Sequence, residues 1–447
     1  MANRLEFIGN SGEGYVAEKK LAQGGQGSVY EVRARSDGKS YAVKWYHTTR
    51  ASDDQRGQLE ELVRHGAPLS DMEGVEFIWP IEMVRYGDST SFGYVMPLYD
   101  TSRYVHFNRV INRKVKQPRQ DKLCRLSYLV VSALETVHRE GLAYCDINLG
   151  NIQFDLEGGS IIVCDNDNVI VNNSDTHVAG VAEFMAPEVA LGAAKPNAQS
   201  DLYSLAVLLY QIWMYEHPME GKQTAEVRCW DQPAKIKRYA KEPLFVHDPN
   251  DRGNSAEGDP MLAYSLKRWE ELCPTNLKDL FTRTFTGGVH QPSKRPRLSE
   301  WKEKLMELEA DATVCVDCAA TNLVDRSIRG QSCFHCDSVL PVRLVLNIKH
   351  PGGSSGLAVH TGGALRQHHL EVHSRGKYAL SIVGIIEDHP RQPGAHILRN
   401  HSDEAWLYEV GEERYRIEPG KARALAPGGK VYIGDVTITV ENIGGEN

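Results

Sequence analysis

Four of the nine cysteines come in two close pairs. The segments CVDC and CFHC set Cys315, Cys318, Cys333 and Cys336 as two C-x2-C knuckles with fourteen residues between them. Two such knuckles can close a tetrahedral thiolate cage on zinc, and four thiolates leave no open position, so the chemistry is structural rather than catalytic. The competing reading is a redox dithiol, which ordinarily uses one pair. His335, between two of the cysteines, reads as a solvent-facing neighbour. A second set of residues lies upstream. The stretch AYCDINLGNIQFD carries Asp146, Asn148 and Asn151, IIVCDNDN ends an apolar run on Asp165, and YAVKWY carries Lys44. LAQGGQGSVYEV offers bare backbone at Gly24 and Gly27, which lets N–H groups approach phosphate oxygens. An Asp carboxylate and an Asn amide oxygen are hard ligands of the kind magnesium takes.

Elements must position these groups. The stretch from Gly14 to about Asp100 is strand-rich with turns at Gly and Asp-Gly, interrupted by one helical segment, SDDQRGQLEELVRHG, that opens on a capping Ser-Asp. Residues 1 to about 13 read as a frayed lead-in. From about Arg103 to Asp311 the pattern is helical, with a short strand pair around NIQFDLEGGSIIVCD. DKLCRLSYLVVSALETVHREG has helical spacing and stops at Gly141. Residues 231–262 are polar and rich in Pro and Gly, the signature of a long loop. The tail has short strands and regular turn signals, which predicts a β-sandwich. The histidines of RQHHLEVHSRG read as exposed loop residues.

Composition excludes several classes. At 447 residues two or three domains are expected, and the net charge of −8 gives no support to a general nucleic-acid binder. DRSIRG and PVRLVLNIK add positive charge near the knuckles but no dense basic-aromatic patch, which leaves a nucleic-acid role for that module as a runner-up. The longest apolar run, SLAVLLYQIWMY, is about 12 residues, short of the about 20 that span a bilayer. MANRLEFIGNSGEG has no apolar signal core. An odd cysteine count with five scattered thiols predicts a reduced, cytoplasmic protein.

Six motifs in order make residues 14 to about 310 resemble a eukaryotic-like Ser/Thr protein kinase of bacterial type. They are LAQGGQGSVYEV, YAVKWY, FGYVMPLYD, AYCDINLGNIQFD, IIVCDNDN and the set FMAPE, SDLYSLAVLLY and KRPRLSEW. The resemblance implies ATP and magnesium, with roles taken from the family template. Gly24, Gly27 and Val29 match the Gly-rich loop, with Ala22 where its first Gly stands. Lys44 would contact the α- and β-phosphates and Ala42 would roof the adenine. Met96 would guard the back pocket, Pro97 would offer only its carbonyl, and Tyr99 would donate its N–H to the base. Gln153 stands where the family puts an apolar side chain beneath the adenine. Asp146 would be the base, with Asn151 and Asp165 on magnesium. Glu188 would pair with Arg295, and Asp201 would cap the catalytic loop.

The departures are coherent. The usual His, Arg and Lys of the catalytic loop read Tyr144, Cys145 and Asn148, and the Phe and Gly after the metal aspartate read Asn166 and Asp167. The Lys and Thr that touch each other in the family are both gone, as Asn148 and Val181; Asn148 could still donate an uncharged hydrogen bond. Without the Arg, Ser174 and Thr176 read as plain loop residues rather than an on-switch. For the acidic partner of Lys44, the helix offers Glu60 and Glu61, while family spacing lands on Gln58. Two function readings follow, an active Ser/Thr kinase acting on a protein substrate and a nucleotide-binding pseudokinase scaffold.

The series Asn400, Ser402 and Trp406 followed by PGGKVYIGDVTITV resembles the later half of a forkhead-associated domain, without the Gly-Arg and Ser-x-x-His elements that read phosphothreonine. The expected architecture is α+β. A kinase domain spans 14–311 (lobes 14–100 and 101–311), a four-cysteine zinc ribbon 312–341 and a forkhead-associated-like β-sandwich 342–447. That order resembles kinases of tellurite-resistance-type phosphorylation systems, which implies a von Willebrand A-like protein and a metal-dependent protein phosphatase as partners, by analogy of architecture alone.

Overall fold

A computed structural model describes residues 5–172, 180–225, 227–326, 328, 330–371, 374 and 376–443. The N-terminal part runs β1 (Glu6–Gly9), β2 (Gly14–Gln23), β3 (Gly27–Ala34), β4 (Ser40–Tyr46), α1 (Asp53–His65), β5 (Val75–Phe77), β6 (Glu82–Arg85) and β7 (Gly93–Pro97). Six strands close into a barrel in the order β1-β2-β3-β4-β7-β6. Alternating apolar positions fill it with Phe7, Val32, Val43, Val84 and Val95. β1 corrects the expected lead-in. Phe7 is 1% exposed and packs against Trp45 at 5.2 Å between centroids, so four residues too short to show a period still become a strand. Helix α1 starts where Ser52 accepts from the Gln55 N–H and ends at Gly66, whose φ of 79° needs a residue without a side chain.

The second lobe is built on two long helices, Gln120–Arg139 and Ala198–Met214. The first stops at Gly141, φ 74°. The second is apolar nearly all round and buries Leu205, Ala206, Val207 and Leu208 completely, as a core helix should. The strands Ile152–Asp155 and Ser160–Val163 form a hairpin that joins the stretch carrying Asp146 to the stretch carrying Asp165. Residues 231–262 are less open than their composition predicts. They include a helix at Gln232–Ile236, and Phe245 is fully buried, with its ring against Trp269 at 5.7 Å.

Arg295 ties the lobe together. Its guanidinium, fully buried, forks onto Glu188 at 2.8 Å through both Nη atoms and reaches the Gln199 carbonyl at 2.9 Å. Removing one member of such a pair strands the other, so Arg295→Ala is expected to lower stability by about 3–5 kcal/mol. Urea unfolding of both chains checks this, and superimposable midpoints would contradict it.

The hairpin Ala312–Val314 and Thr321–Leu323 holds the first cysteine knuckle in its turn, the second knuckle follows it, and a sandwich of six- and four-stranded sheets comes next. Leu346, Ile348, Ile386, Trp406 and Ile438 fill its core. Asn400 accounts for the Asn-Ser-Trp series. Buried, it donates to the Glu404 and Ile417 carbonyls and accepts from Ser402, which in turn accepts from the Trp406 indole at 3.0 Å. Two histidines expected in an exposed loop lie instead on the short helix Gln367–Leu370. His369 is fully buried and accepts from the Arg366 N–H, and burial pushes His368 down to about 3. Docking of the helix on the sandwich decides this, and polarity alone could not show it. His373 lies outside the described residues.

Candidate active site

Asp146 sits at the centre of an amide cage. Asn148 donates to its Oδ1 at 3.1 Å, and Asn151 and Asn168 donate to its Oδ2 at 3.0 and 3.2 Å. Asn148 and Asn151 also reach its carbonyl, at 3.0 and 2.9 Å. Burial pushes the Asp146 carboxyl up, and the Asn151 and Asn148 hydrogen bonds hold it partly down. A carboxyl raised in this way lies nearer the pH at which a general base would accept a proton. Asn168, immediately after the D-N-D triplet, is a contributor the sequence reading missed. It has no counterpart in the motif, and only the fold of the metal loop brings it in.

The loop itself is held from below. Asp201 accepts from the Tyr144 and Cys145 N–H groups at 2.8 and 3.0 Å, and its carboxylate also meets His138 at 2.9 Å. Cys145 and Asp165 both take left-handed backbone, φ 67° and 50°. Such geometry costs side-chain-bearing residues about 1–3 kcal/mol and persists where surroundings enforce it. The Cys164 N–H donates to the Asn151 carbonyl at 2.7 Å, which joins the catalytic loop to the metal-loop strand.

Lys44, 5% exposed, places its ammonium 3.1 Å from Asp165 Oδ1 and 2.7 Å from Asp167 Oδ2. Burial works to lower its pKa, but the charges of Asp167 and Asp165 outweigh it and the net direction is upward. Glu60 and Glu61 are exposed. Gln58 faces the metal loop and donates to the Asp167 and Val169 carbonyls at 3.1 and 3.0 Å.

The expected nucleotide-side residues fall on the strands above. Val29 pairs with Lys44 and Ala22 with Val29, so the β2–β3 tip overhangs the lysine. The Gly24 N–H donates to the Gly27 carbonyl at 2.9 Å, and a side chain at Gly27 would strike the Trp45 carbonyl at 2.2 Å. Ala42 pairs with Met96, and Pro97 with Tyr41. Burial and the Cys164 thiol push the Tyr99 phenol up. Gln153 is 2% exposed, and its amide donates to the Gly150 carbonyl at 2.8 Å and meets His106 at 3.1 Å. A polar group is tolerated there because both contacts satisfy it.

The cysteines make a second candidate site. Their Sγ atoms all lie within 4.8 Å of one another. Cys315–Cys336 are 3.7 Å apart and Cys318–Cys333 3.6 Å. A tetrahedron with bonds of about 2.3 Å sets sulfurs about 3.8 Å apart, far beyond the about 2.05 Å of a disulfide. Ala319 and Asp337, each just past a knuckle, turn at φ 59° and 61°. His335 is exposed.

A family model, the protein kinase domain, matches residues 15–302. The chain belongs to the protein kinase family. Mouse serine/threonine-protein kinase Nek1 is 27% identical over 308 residues, 64% of this chain and 24% of that protein. MAP kinase kinase mkk-4 of Caenorhabditis elegans is 26% identical over 238 residues, covering 52% and 62%. A probable serine/threonine-protein kinase of Streptomyces coelicolor, SCO3848, is 25% identical over 215 residues, covering 46% and 31%. The chain thus spans under two thirds of each of these relatives. Among the described residues no helix is long and apolar enough to cross a membrane.

Proposed function

We propose that this kinase-family chain transfers the γ-phosphoryl group of ATP to a Ser or Thr hydroxyl of a protein partner. The observation that carries the reading is the convergence of Asp146, caged by three amides, with Asn151 and Asp165 on joined loops and Lys44 on β4. Asp146 would orient the hydroxyl and accept its proton, and Lys44 would position the phosphates. Asn151 and Asp165 would hold magnesium, which when bound neutralises phosphate oxygens. The strand pair Ala42/Met96, with Pro97 and Tyr99, would seat the base. Labelled-ATP transfer to the chain itself and to candidate partners, run beside ATP titration with and without magnesium, tests this. A chain that binds ATP and labels nothing is the pseudokinase of the second reading, which Asn148 favours by replacing a cationic Lys with an uncharged donor.

By the same reading, residues 14–311 form the kinase unit, 312–341 a zinc ribbon and 342–447 a forkhead-associated-like module. They would serve a bacterial stress-signalling system with a von Willebrand A-like protein and a phosphatase, in the cytoplasm. Ser174 and Thr176 lie outside the described residues. Cys145 supplies no cation to grip a phosphate there, and its thiol leans on the Ala143 carbonyl at 3.6 Å. Changing both Ser174 and Thr176 to Ala should therefore leave the transfer rate within about threefold. A loss of about a hundredfold, read in the same assay, would point to another basic pocket.

A further inference from the structure

The residue that holds Lys44 does not come from α1. Asp167 stands two positions past the metal-loop aspartate, where the family has Gly. Its side chain is 0% exposed. Its Oδ2 accepts from Lys44 at 2.7 Å and from the Tyr46 hydroxyl, and its Oδ1 is buried without a hydrogen-bond partner. A buried carboxylate is stable only where a cation and donors compensate it, and here Lys44 and Tyr46, both on β4, do so.

Neighbouring residues fix the same loop. Asn166, where the family has Phe, is 1% exposed and donates to the Ile78 and Val163 carbonyls at 2.8 and 2.9 Å. An apolar side chain at that position could be held by packing alone, whereas an amide with two backbone partners must break both bonds to leave. Gln58 carries no charge and spends its amide on the loop's own carbonyls. The helix therefore steadies the loop and gives Lys44 no countercharge, since Glu60 and Glu61 face solvent.

We propose that Asp167 is the positioning residue for Lys44, so that the lysine's anchor belongs to the metal loop instead of the helix. In this arrangement one short segment, Asp165–Asn166–Asp167, sets both the metal carboxylate and the phosphate-binding ammonium, and α1 contributes hydrogen bonds to that segment but no charge to the lysine. The inference rests on the phosphotransfer reading only for its kinetic consequence, because the ion pair itself can be read without turnover.

The test uses the full chain with 15N-labelled lysine. The Lys44 Nζ signal, assigned by its loss in Lys44→Arg, is titrated with pH in wild type, Asp167→Asn, Asp167→Gly, Asp167→Glu and Glu61→Gln. Loss of the carboxylate removes a charge that favours the ammonium, so the titration should move to lower pH in Asp167→Asn and Asp167→Gly. It should return toward wild type in Asp167→Glu and stay in place in Glu61→Gln. Two carboxylate-free variants guard against one that does not fold, and thermal melts identify the folded ones. Where wild type transfers phosphate, Asp167→Asn should lose about 100-fold in kcat, as expected for a misplaced positioning group, with Glu61→Gln within about twofold. A Lys44 titration that is unmoved in folded Asp167→Asn, or one that moves in Glu61→Gln, overturns the proposal even if transfer is robust. A shifted titration in a chain with no transfer keeps the anchor and removes the kinase reading instead. A carboxylate that served magnesium would change only the metal dependence of ATP binding, with Lys44 unmoved, and that also overturns it.

Discussion

Asp146→Asn is expected to reduce phosphoryl transfer by about a thousandfold or more while leaving ATP affinity within about twofold, because a general base contributes roughly 10²–10⁴. The side chain's partners are the amides of Asn148, Asn151 and Asn168. All three act as donors to it, so a carboxylate fits the cage and an amide does not. An Asn at this position would aim its own NH2 at one of them, turn the side chain and remove the proton acceptor together. Lys44 and Asp165 pair with each other and lie outside this hydrogen-bond set, so the phosphate side of the site should survive. Two contrasts sharpen the result. Asp165→Asn removes a carboxylate from the proposed magnesium site and should weaken the magnesium-dependent part of ATP binding. Lys44→Ala should cut transfer through lost positioning, and it also leaves Asp165 and the buried Asp167 without their cation, so its melting temperature should fall. Transfer of labelled phosphate and calorimetric ATP titration on the four chains separate these phenotypes. Equal labelling by wild type and Asp146→Asn would make the catalytic stretch a structural remnant.

Lys44 and Asp165, and Asp146 and Asn151, which the structure brings into contact, could be singled out beforehand because each stands at a fixed offset in a local motif. The knuckles were legible for the same reason. What could not be read was whatever depends on contacts distant in sequence. Asn168 reaches Asp146 only through the bend of the metal loop, 22 residues on. Asp167 meets Lys44 across 123 residues, and no spacing rule announces a carboxylate at a position where the family needs none. Family spacing on α1 lands on Gln58, which does point inward, and left open whether Glu60, Glu61 or neither pairs with Lys44; no motif could show that the charge comes from another segment. β1 failed differently. Four residues cannot display a period, and only barrel closure against β6 makes Glu6–Gly9 a strand. His368 and His369 show a third kind of failure, in which a polar stretch is buried because a short helix must cover the sandwich.

Removing zinc is expected to have the largest structural effect. The protein should carry about one zinc per chain, and changing Cys315 and Cys333 together to Ser should remove it, since two of four thiolates are lost. Structural zinc contributes an apparent binding free energy of about 10–16 kcal/mol, and little else can replace it here. Among the described residues of this module the paired strands are Ala312–Val314 and Thr321–Leu323, three residues each, with one further bridge between Ser332 and Val339. The apolar cluster around it consists of Cys315 and Cys333 themselves with Val324, Leu340, Val342, Val345, Ala358 and Ile443. Two of those eight buried residues are thus ligands of the proposed zinc cage, and Val345 and Ala358 belong to sandwich strands. Loosening should also release Arg326, whose guanidinium lies 3.1 Å from the buried Asp311 and 3.5 Å from Glu307 at the end of the closing helix of the kinase lobe. The expected result is zinc-free protein by elemental analysis, with new protease cleavage between residues 312 and 341 and a kinase unit that still melts cooperatively, because its own core includes neither pair of cysteines. Freshly reduced wild type that lacks zinc, yet resists protease like the metal-loaded chain, would leave the four thiols as dithiol pairs and return the redox reading.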